Sequence, residues 1–462
     1  MPIDRQQRAR SRRIHCLAIA VSVLVVYLQA LVAGYLPIDD GDMLRAVHSG
    51  KMTISSIFLS GGKEYYRPLA TLSLLGDFLL FGGKTAGYHL GNVLLHLANS
   101  LMAYALAANF FREEGTAEFP AFMAALLFAV HPVNSEAVVW ISCRPDLLCC
   151  FFLLLSLNIL FRLGSGGSAT ELAGMGLFFL CSLLAKEASL FLLPAAGCYL
   201  LLKRQEIGLR KAAKVLAALM LPIPAYLMLR QGLPMISPAA MSQTVLSGTS
   251  HGMSVVDAFA AFSFYIRKLF FPCPLSFTIT KINTGLYAGI SLFITAAAAF
   301  LWKKEERIRI PMIFLAASTT PPIGAMLLLP IWTPYAERYL YIPSVFFVLC
   351  AVFLLIRLVP GIPRSILVAT LLIPAVATGL RVKLWTEPLS FWQKAVAQAP
   401  DFGTARLVLA SEYLKAGRYQ EADENLRLAV QLGLPNKSME SFREIRKQLD
   451  EKLGKTAASS SH

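Results

Sequence analysis

Long apolar runs, separated by short stretches rich in charge, Gly or Pro, dominate this chain between residues 14 and 380. A helix needs about 20 apolar residues to cross a bilayer, and an open chain can satisfy its backbone there only as helix. The pattern therefore predicts an all-α, polytopic membrane protein with about 11 spans. The predicted spans cover residues 14–35, 88–110, 119–133, 146–162, 170–185, 188–202, 212–229, 284–302, 310–329, 340–357 and 364–380.

Two apolar regions do not fit this spanning pattern. The first external loop, residues 37–87, is interrupted by charges, and we expect interfacial helices within it. Residues 256–271 contain Arg267 and Lys268, and a span there would place the basic cluster at 303–309 outside, against the positive-inside rule. We predict an interfacial or re-entrant helix at 256–271, although the pattern alone leaves a true span open.

The composition changes abruptly after residue 383, where the membrane domain 1–383 ends. Residues 384–455 are amphipathic, and the stretch from Gly403 to Leu434 follows the spacing of a tetratricopeptide repeat. Because such repeats normally occur in threes or more, we expect this helical domain to pack on the membrane domain or on a protein partner. Residues 456–462 are predicted to be a disordered tail. The repeat positions are Leu409, Ala410, Tyr413, Gly417, Tyr419, Ala422, Leu426, Ala429 and Pro435.

Composition and charge agree with a membrane protein. Apolar residues make up 56% of the 462 residues and charged residues only 15%, whereas soluble domains have about 25% charged residues. The formal charge of +15 comes from basic residues at the ends of apolar runs, where they set orientation, so no nucleic-acid partner is predicted. Five arginines precede the first run, which predicts an uncleaved anchor with a cytoplasmic N-terminus. An odd span count then places the C-terminal repeats outside.

The eight cysteines form no metal-binding pattern, and six of them lie inside apolar runs as small hydrophobic residues. Cys143 and Cys273 fall in outer loops. A disulfide between them stays open, because sequence does not give their separation.

Carboxylates and cations collect in the predicted outer loops. Asp39 and Asp40 follow the first span, and two neighbouring carboxylates raise each other's proton affinity, so one could act as a general base. The alternative is a solvated turn that caps the next helix. Glu136, Arg144 and Asp146 lie after the third span and are either ordinary loop charges or part of a phosphate-binding site.

The same two interpretations apply to three further groups. Lys186 and Glu187 form a short outer turn, where they either pair with each other or bind an anionic head group. Arg338, with its neighbours Glu337 and Tyr339, precedes the next-to-last span and is either an interfacial anchor or a phosphate clamp. Arg67, in the first loop, has the same ambiguity.

Polar residues also lie inside the predicted third and second spans. His89, Asn92 and His96 share one helical face of the second span, and His131 lies at the outer end of the third span. A metal site needs geometry that sequence does not give, and hydrogen bonds between helices are the favoured interpretation.

Several of these segments resemble a known family. The stretches Tyr66–Leu69, Tyr88–Asn92, His131–Asp146 and Ala336–Ser344, with Asp39-Asp40 and Lys186-Glu187, are similar to the transmembrane and tetratricopeptide-repeat O-mannosyltransferases and their bacterial relatives. These are multispanning glycosyltransferases of the GT-C fold. The resemblance covers about residues 20–450, and its animal members carry longer repeat arrays than this chain.

The resemblance implies an inverting glycosyltransferase that moves a sugar, such as the hexose mannose, from a polyprenyl-phosphate carrier to a protein or glycan hydroxyl. Asp40 or Asp39 would be the base, with Glu136 as a further catalytic candidate. The cations expected at the lipid phosphate are Arg338, Arg144, Lys186 and Arg67. The residues expected to bind sugar or acceptor, or to be structural, are His89, Asn92, His131, Asp146, Glu187, Glu337 and Tyr339.

The short repeat segment is typical of a bacterial relative, which implies the inner membrane, a periplasmic site and an undecaprenyl-phosphate carrier. The sugar, the acceptor, the oligomeric state and the need for a divalent cation stay open. One alternative is an inactive membrane scaffold that presents the repeat helices to envelope proteins. A transporter is disfavoured, because the charges collect at one surface and the spans show no internal repeat.

Overall fold

The computed structural model describes residues 5–59, 66–112, 118–163, 167–230, 254–328 and 334–459. The chain is mostly helical in these ranges; no strand forms in them, and one isolated bridge joins Ile279 to Tyr335. The all-α prediction is confirmed. The α-helices are Arg5–Tyr27, Asp40–His48, Ile54–Leu59, Pro68–Phe81, Thr85–Phe111, Glu118–Val130, Ser135–Val139, Arg144–Arg162, Ala169–Ala185, Leu192–Leu202, Arg204–Ile207, Leu209–Met220, Pro222–Leu229, Val255–Phe270, Thr284–Lys304, Arg309–Leu328, Tyr341–Leu358, Arg364–Thr370, Leu372–Trp385, Pro388–Gln398, Gly403–Lys415, Tyr419–Gln431 and Asn436–Ser459.

Eight helices of the described chain are long and apolar enough to cross a bilayer, or nine if the bent pair Glu118–Val130 and Pro132–Val139 forms one span. The predicted count of 11 is therefore not confirmed. The difference comes from Ala169–Ala185 and Glu187–Leu202, which are apolar but fall short of 18 residues. Large apolar side chains remain exposed on the long helices, such as Phe293 at 75%, and this is the surface that lipid covers.

The bundle is built around the helix Thr85–Phe111, which packs against Glu118–Val130 and Arg144–Arg162. Small and aromatic residues make these contacts close. Near the start of the first helix, Arg12 pairs with Glu118 at 3.2 Å, and just after its end Gln29 donates to the Gly379 carbonyl at 2.6 Å. The first and last membrane helices are therefore joined, which brings the first external loop beside the start of the repeat domain.

The helix Val255–Phe270 is amphipathic and is not among the candidate spans. Its C-terminal Leu269 carbonyl accepts a hydrogen bond from His131, at the outer end of its helix. Its N-terminal Asp257 accepts one from Thr284, where the next long helix begins. Contacts at both ends with residues expected on the outer side support the prediction of an interfacial helix.

The predicted repeat domain packs on the membrane domain. Phe277 is surrounded by the rings of Trp385, Phe391 and Trp392, at centroid distances between 5.4 and 5.7 Å. Thr278 donates to the Ala395 carbonyl at 3.1 Å. This contact supplies the support that so few repeats need.

Within the repeat domain, the helices Gly403–Lys415 and Tyr419–Gln431 pack closely. A Cβ at Gly403 would lie 2.9 Å from the Gly433 carbonyl oxygen, so the approach requires glycine. The assignment as a tetratricopeptide repeat stays a prediction. The last helix continues through Ser459, which corrects the predicted disorder at 456–459; residues 460–462 lie outside the described ranges. Tyr65 also lies outside them.

Candidate functional site

Asp40 is buried at the start of the helix Asp40–His48, with 1% of its surface exposed. Its Oδ2 accepts from the Leu36 amide at 2.8 Å. Its Oδ1 accepts from the Ser142 amide at 3.0 Å and from the Ser142 hydroxyl at 2.5 Å. Burial raises the pKa of Asp40 to about 7 even though these hydrogen bonds, the one from the Ser142 hydroxyl foremost, oppose the rise. A carboxyl with this pKa can exchange a proton near neutral pH.

Asp39 has a different role in the same turn. It is the residue before the helix, and its backbone has φ 67 and ψ −36. It is the one non-glycine residue with positive φ in the described chain. Such conformations are strained and occur where a turn must aim a neighbouring group. The turn at Asp39 thus presents Asp40 inward, towards Ser142.

A depression of about 550 Å³ lies directly beside Asp40. Tyr35, Arg45 and His48 line it together with Asp40, and His48 Nε2 lies 2.9 Å from the Tyr88 hydroxyl. The sequence analysis did not single out these residues. Arg45 and His48 follow Asp40 at i+5 and i+8, and their mutual spacing of three residues on one helix would have been the available signal.

The segment His131–Asp146 holds most of the predicted clusters together. Glu136, with 0% exposure, accepts from Arg338 Nη1 at 2.8 Å and from the Arg338 amide at 3.2 Å. The Arg338 guanidinium lies between two aromatic rings, 5.0 Å from the Trp140 centroid and 4.9 Å from that of Tyr339. Two clusters that are 200 residues apart in sequence therefore meet in one buried ion pair.

Asp146 contacts the predicted cluster of Lys186 and Glu187. It accepts from Lys186 Nζ at 2.6 Å, and the same ammonium lies 5.8 Å from the Tyr339 ring centroid. Lys186 and Arg338 thus face the same ring. Glu187 pairs instead with Arg67, at 3.3 Å. In these ion pairs Lys186 and Glu187 do not bind each other, which was one of the two interpretations of this turn. Each pairs with a residue of another segment.

Arg144 is bound on every side by the protein, with 1% exposure. Its nitrogens donate to Asp77 at 2.6 Å, to Asn92 at 2.5 Å, to Ser73 at 2.7 Å and to the Tyr88 carbonyl at 2.8 Å. Four of the five N–H donors of this guanidinium are committed to the protein, which leaves a single Nη1 donor. The geometry favours a structural role for Arg144 over the predicted phosphate contact.

The polar residues of the spans join helices. His89 donates to the Ala33 carbonyl at 3.1 Å, and Asn92 donates to the Val138 and Trp140 carbonyls. His96 donates from Nε2 to the Ala129 carbonyl and accepts at Nδ1 from the Tyr341 hydroxyl at 2.8 Å. His131 Nε2 donates to Leu269 at 3.0 Å. These contacts support the helix-joining interpretation.

Across the described ranges, no group of three or more His, Cys, Asp or Glu side chains is placed to hold a metal ion. Cys143 is buried and Cys273 is exposed, and both are free thiols. The disulfide that the sequence left open does not form.

Glu337 connects the site to the interfacial helix. Its Oε1 accepts from Lys268 Nζ at 2.7 Å and from the Ser276 amide at 2.9 Å. Both side chains are at least 96% buried. Lys268, which made residues 256–271 difficult to place from sequence, is thus the counter-ion of a residue next to Arg338.

The two residues that contact Asp40 and Arg338 lie close together in the chain. Asp40 binds Ser142, and Arg338 stacks on Trp140. Two residues of extended chain span at most about 7 Å, so the carboxyl and the guanidinium are attached to neighbouring points of one segment. The segment 131–146 contacts Asp40, Lys186 and Arg338, and a shared role of these residues in one catalytic site stays a prediction.

The segment that organises this site also carries similarity to proteins of known kind. Residues 68–229 match the family model described as dolichyl-phosphate-mannose-protein mannosyltransferase. The chain resembles the protein O-mannosyltransferases. The matched residues include Lys186 and the whole of 131–146, but neither Asp40 nor Arg338.

Curated O-mannosyltransferases show the same likeness over part of their length. Protein O-mannosyl-transferase F38B6.6 of Caenorhabditis elegans is 29% identical over 213 residues, which is 43% of this chain and 30% of the relative. Protein O-mannosyl-transferase TMTC2 of Mus musculus is 37% identical over 145 residues, or 30% of this chain and 17% of the relative. The chain thus matches less than a third of the length of these O-mannosyltransferases.

Among solved structures, the oligosaccharyltransferase of Archaeoglobus fulgidus, tethered to an acceptor peptide, aligns with 89% of this chain and 58% of its own. The TM-score is 0.44 and the sequence identity is 13%.

Proposed function

We propose that this chain is a membrane glycosyltransferase that moves a hexose such as mannose from a polyprenyl-phosphate carrier to a hydroxyl of a protein or glycan. The observation that carries the proposal is the buried Asp40, whose pKa is raised to about 7. It borders a surface depression and is anchored to the segment that holds Arg338. The similarity to protein O-mannosyltransferases supports the reaction class.

Asp40 acts as the base in this mechanism. Its deprotonated carboxylate accepts the proton of the acceptor hydroxyl, and the oxygen attacks the anomeric carbon from the face opposite the phosphate. The bond between that carbon and the phosphate oxygen breaks, and its electron pair leaves with polyprenyl phosphate. One attack of this kind inverts the configuration at the sugar carbon. Ser142 and the strained turn at Asp39 hold the base in place.

The leaving group becomes more negative as the bond breaks, so fixed cations stabilise the transition state. Arg338 and Lys186 are the candidates, because both border Tyr339 near the outer end of the bundle. Arg67 remains a candidate at the adjoining turn, where it pairs with Glu187. Arg144 is assigned to the scaffold of the site. The proposed side of action is the non-cytoplasmic face, in the bacterial case the periplasm.

A transfer assay tests the proposal. Purified full-length protein in lipid nanodiscs is incubated with radiolabelled polyprenyl-phosphate hexoses and with peptide or glycan acceptors. Asp40→Asn should abolish transfer. Asp39→Asn should retain most of it, and Asp450→Asn, which changes a carboxylate with 61% exposure on the last helix, should match the unaltered protein. Full transfer by Asp40→Asn would remove Asp40 as the base. Carrier binding without any turnover would favour the inactive scaffold.

A further inference from the structure

Arg381 is a buried cation with few apparent partners. It lies near the end of the helix Leu372–Trp385 with 5% exposure, and its Nε and Nη2 atoms are buried without hydrogen-bond partners. Its guanidinium carbon is 6.0 Å from the Trp385 ring centroid and 5.9 Å from that of Phe391. A buried charge is costly unless another charge compensates it. The sequence analysis missed this residue, because the predicted span ended at residue 380.

The position of Arg381 places it beside Glu136. Thr378, one turn earlier on the same helical face, donates to the Val130 carbonyl at 2.7 Å. The same helix packs against Ser135–Val139, which carries Glu136. Glu136 is close enough to interact electrostatically with Arg381, although both of its oxygens accept from Arg338.

This arrangement resolves a conflict in the proposed phosphate site. A phosphate that binds on the Nη1 side of Arg338 competes with the carboxylate that already accepts from Nη1. Glu136 is fully buried, so it cannot lose Arg338 without another cation nearby. Arg381 has unused donors and faces the same segment.

We propose that Arg381 is a positioning residue that accepts Glu136 when Arg338 engages the phosphate of the polyprenyl-phosphate donor. The inference rests on the proposed function, since it assumes that Arg338 binds that phosphate. In the free protein, Glu136 neutralises Arg338. In the bound protein, Glu136 turns to the Nε and Nη2 atoms of Arg381, and the guanidinium of residue 338 becomes available. No covalent bond changes in this step.

Binding of polyprenyl phosphate to the full-length protein in nanodiscs tests the exchange. Arg381→Gln should weaken binding about tenfold, since Glu136 then keeps competing for Arg338. In a Glu136→Gln background the competitor is gone, so adding Arg381→Gln should have no further effect. Lys383→Gln, on the same helix with 64% exposure, is the matched control and should bind as the unaltered protein does.

The outcomes separate the two proposals. An equal loss from Arg381→Gln with and without Glu136 indicates a structural role and overturns the inference. So does unaltered binding by Arg381→Gln while Arg338→Gln loses affinity. If Arg338→Gln binds normally, the phosphate role of Arg338 fails and the exchange fails with it. If Arg381→Gln does not fold, Arg381→Lys replaces it: this variant keeps the charge with fewer donors, and its smaller loss should also vanish in the Glu136→Gln background.

Discussion

At the scale of single residues, the chemistry depends on carboxylates whose surroundings differ. Asp40 is buried without an adjacent cation among its hydrogen-bond partners, Leu36 and Ser142. Glu136, by contrast, lies against a guanidinium. The first can take up a proton near neutral pH, whereas the second is held as a counter-ion. Environment, not residue type, assigns the two roles.

The pH dependence of transfer follows from the raised pKa of Asp40. The base must be deprotonated, so the rate should rise with pH up to and through about 7 and then level off. Removing the Ser142 hydroxyl takes away a hydrogen bond that favours the charged form, so Ser142→Ala should move the midpoint upward by about one unit. Initial rates between pH 5.5 and 9 measure both midpoints, and a downward shift would contradict the assignment.

The raised pKa of Asp40 should also make the free energy of unfolding depend on pH. This quantity should fall as the pH rises, whereas the transfer rate should increase. The folded pKa of about 7 lies above the ordinary Asp pKa of 3.8 in the unfolded chain, so the folded state binds more protons than the unfolded state between these two pH values. This contribution to the free energy of unfolding is therefore largest at low pH and is lost as pH rises through 7.

The ion pair between Arg144 and Asp77 depends on a glycine. A Cβ at Gly91 would lie 2.6 Å from Arg144 Nη2 and 2.6 Å from Asp77 Oδ2. Gly91→Ala should separate this buried pair and destabilise the protein by about 3 kcal/mol. Gly197→Ala is the control, since no atom lies within 4 Å of its Cβ position. In thermal unfolding measured in detergent, Gly91→Ala should have a lower midpoint temperature than the unaltered protein. The midpoint of Gly197→Ala should be nearly unchanged.

At the scale of elements, the segment 131–146 is the structural centre of the site. Its residues bind Asp40, Arg338 and Lys186, which belong to three other parts of the chain. The segment is broken into short helices, and it begins at a bend of 45° after the helix Glu118–Val130. A straight helix would present these side chains at regular turns along one axis, whereas the broken one directs them to different neighbours.

The interfacial helix is attached by the pair of Lys268 and Glu337. Lys268→Met leaves Glu337 buried without its counter-ion and should cost about 3–5 kcal/mol. Adding Glu337→Gln should recover most of the loss. Lys281→Met breaks a pair with Asp401 in which Lys281 is 81% exposed, and should cost at most about 1 kcal/mol. Equal losses from the two lysine variants, measured by thermal unfolding, would refute the distinction.

Sequence reasoning found the groups that meet but not how they pair. The concentration of charge in outer loops was visible, because charge inside lipid is costly and its placement stands out. The partners were not: Asp77 was treated as an interruption of an interfacial helix, yet it binds Arg144. Such pairs join segments far apart in the chain, and periodicity describes only neighbours along one element. The sequence analysis also missed Arg381, because this residue lies just after position 380, where the last span was predicted to end.

At the scale of the whole molecule, the repeat domain and the membrane domain share an aromatic contact. Phe277, Trp385, Phe391 and Trp392 are each at most 7% exposed. Lys281 and Asp401 add a surface ion pair at 2.6 Å beside this contact. The domains are therefore joined by apolar burial, with a small electrostatic addition.

Removing one of these rings should release the repeat domain. Phe391→Ala should cost about 3–5 kcal/mol, because it leaves a cavity in the contact. Limited proteolysis near residues 386–387 should become faster than in the unaltered protein. Val430→Ala, at a position with 48% exposure in the same domain, is the control and should change neither quantity. Unchanged proteolysis of Phe391→Ala would argue against this contact as the main attachment.

The proposed orientation can be measured with single cysteines. Lys281→Cys, placed at an exposed position beside the repeat domain, should react with a membrane-impermeant maleimide added outside. Lys304→Cys, at the far end of the next long helix, should react only after the membrane is opened. The reverse pattern would place the site in the cytoplasm.

The aromatic contact around Phe277 also bears on the biosynthesis of the protein. Trp385, Phe391 and Trp392 leave the ribosome after every predicted span, so the surface around Phe277 stays uncovered until the segment 385–392 has been synthesised. A nascent chain interrupted before Pro388 would display bare rings at the membrane boundary. We expect quality-control proteases that recognise exposed aromatic rings to degrade such unfinished copies faster than the folded protein.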